Sequence, residues 1–133
     1  MMRVLIVDDD FYSRVMLHDM LRPVAECHIA VNGEEAVGAF KKALKDGRPY
    51  DLVCMDLVMP EMDGQQALRE MRALEDEMGV ESGNRSVVFV VSMVEDNRET
   101  NEAFFLGGAD SFLVKPIEEA RLMAELREHG LLG

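Results

Sequence analysis

Near the N-terminus stands Val4-Leu5-Ile6-Val7-Asp8-Asp9, a short apolar run that ends in two acidic residues. The same arrangement returns where the apolar stretch 52–55 is followed by Asp56. Two later apolar runs end at Ser92 and at Lys115. If these runs are parallel strands of one sheet, their carboxyl ends meet at one edge, where open α/β sheets bind ligands. The sequence therefore predicts that five polar side chains converge in a single crevice.

Strand-like runs and helix-like stretches alternate five times along the chain. The predicted strands span residues 3–7, 27–31, 52–55, 87–91 and 112–114. Apolar residues recur every three to four positions in the intervening stretches, which is the spacing of amphipathic helices. The fourth predicted helix runs from about Asp96 to Leu106, and the fifth contains Leu122 and Leu126. This alternation predicts an α/β fold, in which a doubly wound parallel sheet carries helices on both faces.

Length, charge and cysteine content limit the possible functions. A chain of 133 residues predicts one domain over 1–133. A formal net charge of −12 argues against direct binding of nucleic acid. No apolar run is long enough to insert in a membrane or to form a signal peptide. Two distant cysteines without a CxxC pair favour free thiols in a reducing compartment, and hence a cytoplasmic location.

Some charged residues have a simple structural interpretation. Asp10 stands where the first helix should begin, and aspartate is a preferred residue for capping a helix N-terminus. The acidic run 75–77 lies near the end of the third predicted helix, and a solvated helix face is its simplest interpretation. Neither feature requires a ligand.

The crevice residues suit the chemistry of phosphoryl groups. Three carboxylates side by side repel one another unless a cation neutralises them. A small number of hard oxygen ligands suits Mg²⁺, because water molecules complete the coordination of this ion. One carboxylate could then attack a phosphoryl group and become an aspartyl-phosphate. Lys115 would spread the developing negative charge, and the Ser92 hydroxyl would hold a phosphoryl oxygen.

Four segments of the sequence carry a resemblance to a known family. They are Val7-Asp8-Asp9, the D-x-x-M-P-x-M-D-G string that starts at Asp56, Val91-Ser92 and the stretch 112–116. In this order, and over essentially the whole chain, they resemble the receiver domain of two-component response regulators. The resemblance implies a flavodoxin-like receiver fold, a doubly wound five-stranded parallel sheet in the order 2-1-3-4-5.

The resemblance also implies roles for the acidic residues. Asp56 matches the phosphoacceptor of the family. Asp9 matches the direct ligand of Mg²⁺, and Asp8 matches a residue that binds the metal mainly through water. The backbone carbonyl of Val58 would complete the ligands that the protein supplies.

Further residues match the family's activation switch. Ser92 matches the hydroxyl residue that moves toward the phosphoryl group, and Lys115 matches the lysine that pairs with it. The Lys115–Pro116 peptide bond would be cis. Phe112 matches the switch aromatic, which turns inward on activation. The implied result is a change in partner affinity at the face formed by the fourth helix, fifth strand and fifth helix.

The resemblance implies a switch rather than an enzyme with an external substrate. A sensor histidine kinase or a histidine phosphotransfer protein would donate the phosphoryl group, and an unknown downstream protein would read the result. The domain would catalyse only its own phosphorylation and dephosphorylation. The chain would be either a stand-alone receiver of the chemotaxis-regulator type or a domain of a longer protein, and the beginning and end of the sequence lean mildly toward the first.

An enzyme of another class remains as the alternative. A haloacid-dehalogenase-like phosphatase also uses an aspartyl-phosphate, Mg²⁺, a hydroxyl and a lysine, and Asp8-Asp9-Asp10 supplies its D-x-D motif. Asp8 would then be the nucleophile, and Asp56 would have no clear role. Tyr12 departs from the threonine or valine usual in that family, and no late acidic pair follows Lys115.

Overall fold

A single parallel sheet organises the protein. The computed structural model describes residues 1–56, 64–93 and 107–133. Five strands pair in the order β2-β1-β3-β4-β5, which confirms the predicted topology. Their bounds are Met2–Val7 for β1, Ala25–Ala30 for β2, Leu52–Asp56 for β3, Val87–Ser92 for β4 and Ser111–Val114 for β5. The helix expected from Asp96 to Leu106, and Val58, lie outside the described residues.

Four α-helices pack on this sheet within the described ranges, and a short 3-10 helix spans Ser82–Asn84. The α-helices are α1 at Phe11–Leu21, α2 at Gly33–Lys45, α3 at Gly64–Glu77 and α4 at Glu119–Glu128. The last of these corresponds to the fifth helix predicted from the sequence. None of these helices combines the length and apolar character needed to cross a bilayer.

Two apolar layers lie on opposite sides of the sheet because side chains alternate along each strand. In β1, Leu5 and Val7 face the layer that α2 and α3 cover, whereas Val4 and Ile6 face the α1 and α4 layer. All five residues of β3 are buried. Burial on both faces explains why this strand is an unbroken apolar run that ends at Asp56.

The position of β2 differs from the prediction by two residues at its start. Ala25 pairs with Met2 and is buried, so the strand begins before Cys27. Val31 was predicted to be the last strand residue, but its amide donates to the carboxylate of Glu35 in α2. It therefore belongs to the turn that leads into α2.

Two local predictions at the sheet's carboxyl edge are confirmed. Asp10 precedes α1 and accepts hydrogen bonds from the Ser13 amide and hydroxyl, both at 2.9 Å. These bonds lower the pKa of the Asp10 carboxyl below its ordinary value. The Lys115–Pro116 peptide bond is cis.

The interpretation of the acidic run 75–77 is wrong for one of its members. Glu75 is 1% exposed, and its carboxylate accepts hydrogen bonds from Arg72 at 2.7 Å and from the Ser86 amide at 2.8 Å. Arg72 also donates to the carbonyl oxygens of Ser86 and Gly108 and to the Asp110 carboxylate. We call these five residues the base clamp, because they join α3 to the amino-terminal ends of β4 and β5.

Candidate functional site

The register of the sheet brings the predicted site residues to one edge. Val7 pairs with Met55, so Asp8 and Asp56 leave neighbouring strands side by side. Asp56 pairs with Val91, which places Ser92 one residue beyond it on the next strand. Lys115 follows β5, and its amide donates to the Ser92 carbonyl oxygen at 2.8 Å. The four side chains come from four strands, yet they share one crevice.

The three acidic side chains form a compact group. Carboxylate oxygens of Asp8, Asp9 and Asp56 all lie within 4.8 Å of one another. Asp8 and Asp56 are 1% and 8% exposed, whereas Asp9 is exposed to solvent. A set of hard oxygen donors with one side open to water fits a cation that keeps several water ligands, as Mg²⁺ does. The donor set is therefore suitable for the predicted metal.

Lys115 partly neutralises the acidic group. Its Nζ lies 2.8 Å from Oδ2 of Asp8 and 3.7 Å from Oδ2 of Asp56. Burial alone would lower the pKa of Lys115, but the hydrogen bond to Asp8 and the charge of Asp56 raise it above the ordinary value. One ammonium thus accompanies three carboxylates, and the crevice keeps an excess of negative charge that attracts cations.

Every polar atom of Asp8 takes part in a hydrogen bond. Its amide donates to the Ala30 carbonyl oxygen at 3.2 Å. Oδ1 accepts from the Asp10 amide at 2.9 Å, and Oδ2 accepts from Lys115. Its main-chain oxygen accepts from Nη1 of Arg14 at 3.0 Å. Asp8 is therefore a fixed part of the crevice wall.

Sequence reasoning missed Arg14, although the chain contains a signal for it. Arg14 is the fourth residue of α1, and a cation near a helix N-terminus is disfavoured by the helix dipole. A basic residue placed there, next to an acidic turn, indicates a local partner. The structure supplies that partner in the Asp8 carbonyl.

The two predicted switch residues lie on neighbouring strands. Ser92 ends β4 and is 2% exposed. Phe112 lies in β5, is half-buried, and packs against the apolar layer between the sheet and α2 and α3. The segment 94–106, which follows β4 closely in the chain, lies outside the described residues.

An apolar groove of about 250 Å³ opens beside the crevice. It lies between α1 and the segment that follows β5, and its lining includes Tyr12, Met16, Met20, Met93 and Ile117. Lys115 and Asp10 also line this groove. A large molecule with apolar side chains could therefore rest next to the acidic group.

Comparison with known proteins identifies the family. The family model "Response regulator receiver domain" matches residues 4–127. The chain belongs to the receiver family. Among its relatives, the two-component response regulator ORR41 of Oryza sativa is 36% identical over an alignment of 126 residues, and the match covers 92% of this chain and 89% of that protein.

Solved receiver domains have the same fold. The crystal structure of the receiver domain of the histidine kinase CKI1 from Arabidopsis thaliana, in complex with Mg²⁺ and BeF3⁻, gives a TM-score of 0.83 at 31% identity. The match covers 97% of this chain and 89% of that one. Against the whole CKI1 kinase this chain is 34% identical and spans only 11% of the kinase's length. Receivers thus occur both as short proteins and as parts of long kinases.

Proposed function

We propose that this receiver accepts a phosphoryl group on Asp56, with Mg²⁺, from a phosphohistidine of a partner protein. The observation that carries the proposal is the position of Asp56, at the end of β3 beside two other carboxylates and 3.7 Å from the Lys115 ammonium. The donor would be a sensor histidine kinase or a histidine phosphotransfer protein. The apolar groove beside the crevice suits the side chains of a protein donor better than a small anion.

Asp8 is a poor candidate for the nucleophile. Both of its carboxylate oxygens already accept hydrogen bonds, and its side chain is almost fully buried. An attack by Asp8 would require it to leave the Asp10 amide and the Lys115 ammonium. This cost argues against the phosphatase alternative, in which Asp8 carries the phosphoryl group.

The transfer itself exchanges one bond to phosphorus for another. A carboxylate oxygen of Asp56 forms the new P–O bond while the P–N bond of the phosphohistidine breaks. The imidazole keeps the electron pair of that bond. Lys115 neutralises negative charge on the phosphoryl oxygens, and the Ser92 hydroxyl donates to one of them. Neither residue has to gain or lose a proton.

Asp9 and Asp56 would hold the metal directly, and Asp8 would hold it through water. The Val58 carbonyl lies outside the described residues and stays a prediction. When bound, Mg²⁺ supplies positive charge that offsets the repulsion between a phosphoryl group and the carboxylates. Mg²⁺ usually keeps several water ligands, and the exposure of Asp9 to solvent leaves access for them.

Phosphorylation would act as a switch for a downstream protein. Ser92 moving toward the phosphoryl group would leave space for Phe112 to turn inward. This movement would shift a two-state equilibrium at the face that the resemblance assigns to the fourth predicted helix, β5 and α4. NMR spectra with beryllofluoride, a phosphoryl mimic, should change from 96 to 126 as well as in the crevice. Changes confined to the crevice would contradict the switch.

The same proposal describes a cytoplasmic signalling protein without an external substrate. It would catalyse only its own phosphorylation and dephosphorylation. The strongly acidic charge supports protein partners rather than nucleic acid.

Labelling with acetyl phosphate tests the phosphoacceptor. With Mg²⁺, the wild type should gain one phosphate, which borohydride trapping places on Asp56. Asp56→Asn, or removal of Mg²⁺ by EDTA, should abolish labelling. Asp51→Asn is the matched control, because it removes a carboxylate next to the opposite end of β3, and it should label normally. A phosphate trapped on Asp8 would favour the phosphatase alternative.

A further inference from the structure

The peptide between Asp8 and Asp9 connects a buried carboxylate of the acidic group to an exposed one. Asp8 is buried and bonded through its amide and both carboxylate oxygens. Asp9 is exposed, and its carboxylate lies close to the other two. The orientation of the connecting peptide therefore decides where the Asp9 carboxylate stands relative to its neighbours.

Arg14 holds this peptide. Its Nη1 donates to the Asp8 carbonyl oxygen at 3.0 Å, which is good hydrogen-bond geometry for a charged donor. The guanidinium carbon also lies 5.7 Å from the centre of the Phe11 ring, within range of a cation–π contact. The ring and the carbonyl oxygen together restrict where the guanidinium can go.

The position of Arg14 is electrostatically unfavourable for cation binding. Its positive charge repels a metal ion, and it stands near the positive end of the α1 dipole. Among the described residues, no carboxylate forms an ion pair with Arg14 within 4.0 Å. Its hydrogen bond to the Asp8 carbonyl oxygen, the Phe11 ring and the nearby charge of Asp10 together hold it in place.

We propose that Arg14 is a positioning residue for the metal: it fixes the Asp8–Asp9 peptide so that the Asp9 carboxylate is ready to bind. The inference rests on the Mg²⁺ site of the proposed function. Mg²⁺ demands near-octahedral ligands at about 2.0–2.1 Å, so small errors in the direction of a carboxylate weaken binding. Groups that orient metal ligands commonly change affinity by about 10-fold to 100-fold when removed.

Charge and positioning predict opposite signs for the loss of Arg14. If Arg14 acted only through its charge, Arg14→Ala would bind Mg²⁺ more tightly, and high salt would remove the difference. If it positions Asp9, Arg14→Ala binds Mg²⁺ more weakly, and the loss persists when salt screens charges. In 1 M KCl the screening length is about 3 Å, so the two effects separate.

Isothermal titration with Mg²⁺, in low salt and in 1 M KCl, tests the proposal. Arg14→Ala should weaken binding by about 10-fold in both salts. Phe11→Ala keeps the charge and the donor but removes the ring beside them, so it should weaken binding by about twofold to fivefold. Arg22→Ala is the matched control, because it removes the same charge from the far end of the same helix, and it should bind as the wild type does.

Unchanged or tighter binding by Arg14→Ala would overturn the proposal, as would a loss that disappears in high salt. Urea unfolding without Mg²⁺ shows whether a variant is folded; if Arg14→Ala is not, Phe11→Ala decides. Labelling of Asp56 by acetyl phosphate separates this inference from the proposed function. A positioning role predicts that raising Mg²⁺ restores labelling of Arg14→Ala. Failure of the wild type to label at any Mg²⁺ concentration would instead overturn the phosphoacceptor assignment.

Discussion

The two ends of the sheet handle charge in opposite ways. In the base clamp, at the amino-terminal ends of β4 and β5, Arg72 lies between Glu75 and Asp110 and also bonds two carbonyl oxygens. In the crevice at the carboxyl ends, the Lys115 ammonium is set against three carboxylates. In the clamp, both carboxylates pair directly with the guanidinium and stabilise the fold. The crevice sets one ammonium against three carboxylates and keeps a larger surplus of negative charge for a ligand.

The clamp leaves little freedom for change. A Cβ added at Gly108 would lie 2.7 Å from Nε of Arg72, and the Gly108 φ of +107° is one that residues with side chains rarely adopt. Glu75 is buried and depends on Arg72 for an opposite charge. By contrast, Asp9 in the crevice is exposed. The base clamp therefore tolerates few substitutions, whereas the crevice remains accessible to a ligand.

The largest predicted effect is the loss of the clamp arginine. Arg72→Ala leaves the Glu75 carboxylate buried without its partner, which should lower the free energy of unfolding by about 3–5 kcal/mol. Urea unfolding measures the loss. Arg121→Ala is the control: it breaks the exposed pair with Glu125, and the expected cost is below about 1 kcal/mol. Similar losses in both variants would show that the buried ion pair of the clamp stabilises the fold no more than an exposed ion pair does.

The crevice should respond to metal where the clamp does not. Mg²⁺ at about 100 times its dissociation constant should raise the free energy of unfolding by about 2.7 kcal/mol, because it binds only the folded crevice. Thermal unfolding with and without Mg²⁺ measures this gain. Asp9→Asn should abolish it, and Arg72→Ala, although less stable, should keep it. A full gain in Asp9→Asn would place the metal elsewhere.

Alkaline pH tests the apolar core between the two ends. Burial raises the pKa of the Cys54 thiol from 9.0 to about 12, because the interior disfavours the thiolate. The thiol's contribution is thus complete below pH 9 and is lost as the pH rises toward the folded value. This loss is about 1.4 kcal/mol per pH unit. Urea unfolding of Cys54→Ala, compared with the wild type as the pH is raised, should show a shallower decline. An equally steep decline of stability with pH in both proteins would show that groups other than Cys54 cause it.

The smallest predicted effect on stability compares one carboxylate at each end of the sheet. Asp10 caps α1 beside the crevice, and Glu26 pairs with Arg3 at the opposite end of the sheet. Hydrogen bonds from Ser13 lower the pKa of Asp10, and the hydrogen bond from Arg3 lowers that of Glu26. Both contributions are therefore present above the ordinary carboxyl pKa and are lost as the pH falls through the folded value.

Salt should separate these two carboxylates in urea unfolding at neutral pH. Destabilisation by Glu26→Gln should shrink as salt screens the ion pair with Arg3. Destabilisation by Asp10→Ala should largely persist, because the cap is a hydrogen bond. Asp10→Asn is the matched control, since asparagine caps helices equally well without charge. Equal sensitivity to salt in both positions would remove the distinction.

Local patterns in the sequence predicted most of the sheet and the crevice. Apolar runs that end in Asp8, Asp56, Ser92 or Lys115 predicted the strands and their shared edge. Boundaries were less accurate: β2 begins at Ala25 because it pairs with Met2, and a pairing partner is not visible in a local run. The family motif supplied the strand order, which the alternation of strands and helices alone leaves open.

The sequence by itself determined which residues end the strands, where α1 is capped and that three carboxylates share one crevice. These features depend only on neighbouring residues and on the geometry of parallel strands. Only the tertiary structure decided that Lys115 lies closer to Asp8 than to Asp56, that Arg14 holds the Asp8 carbonyl, and that Glu75 is buried. The Arg72 contacts reach 14 and 36 residues along the chain. Such partners are set by the packing of whole elements, which no local pattern encodes.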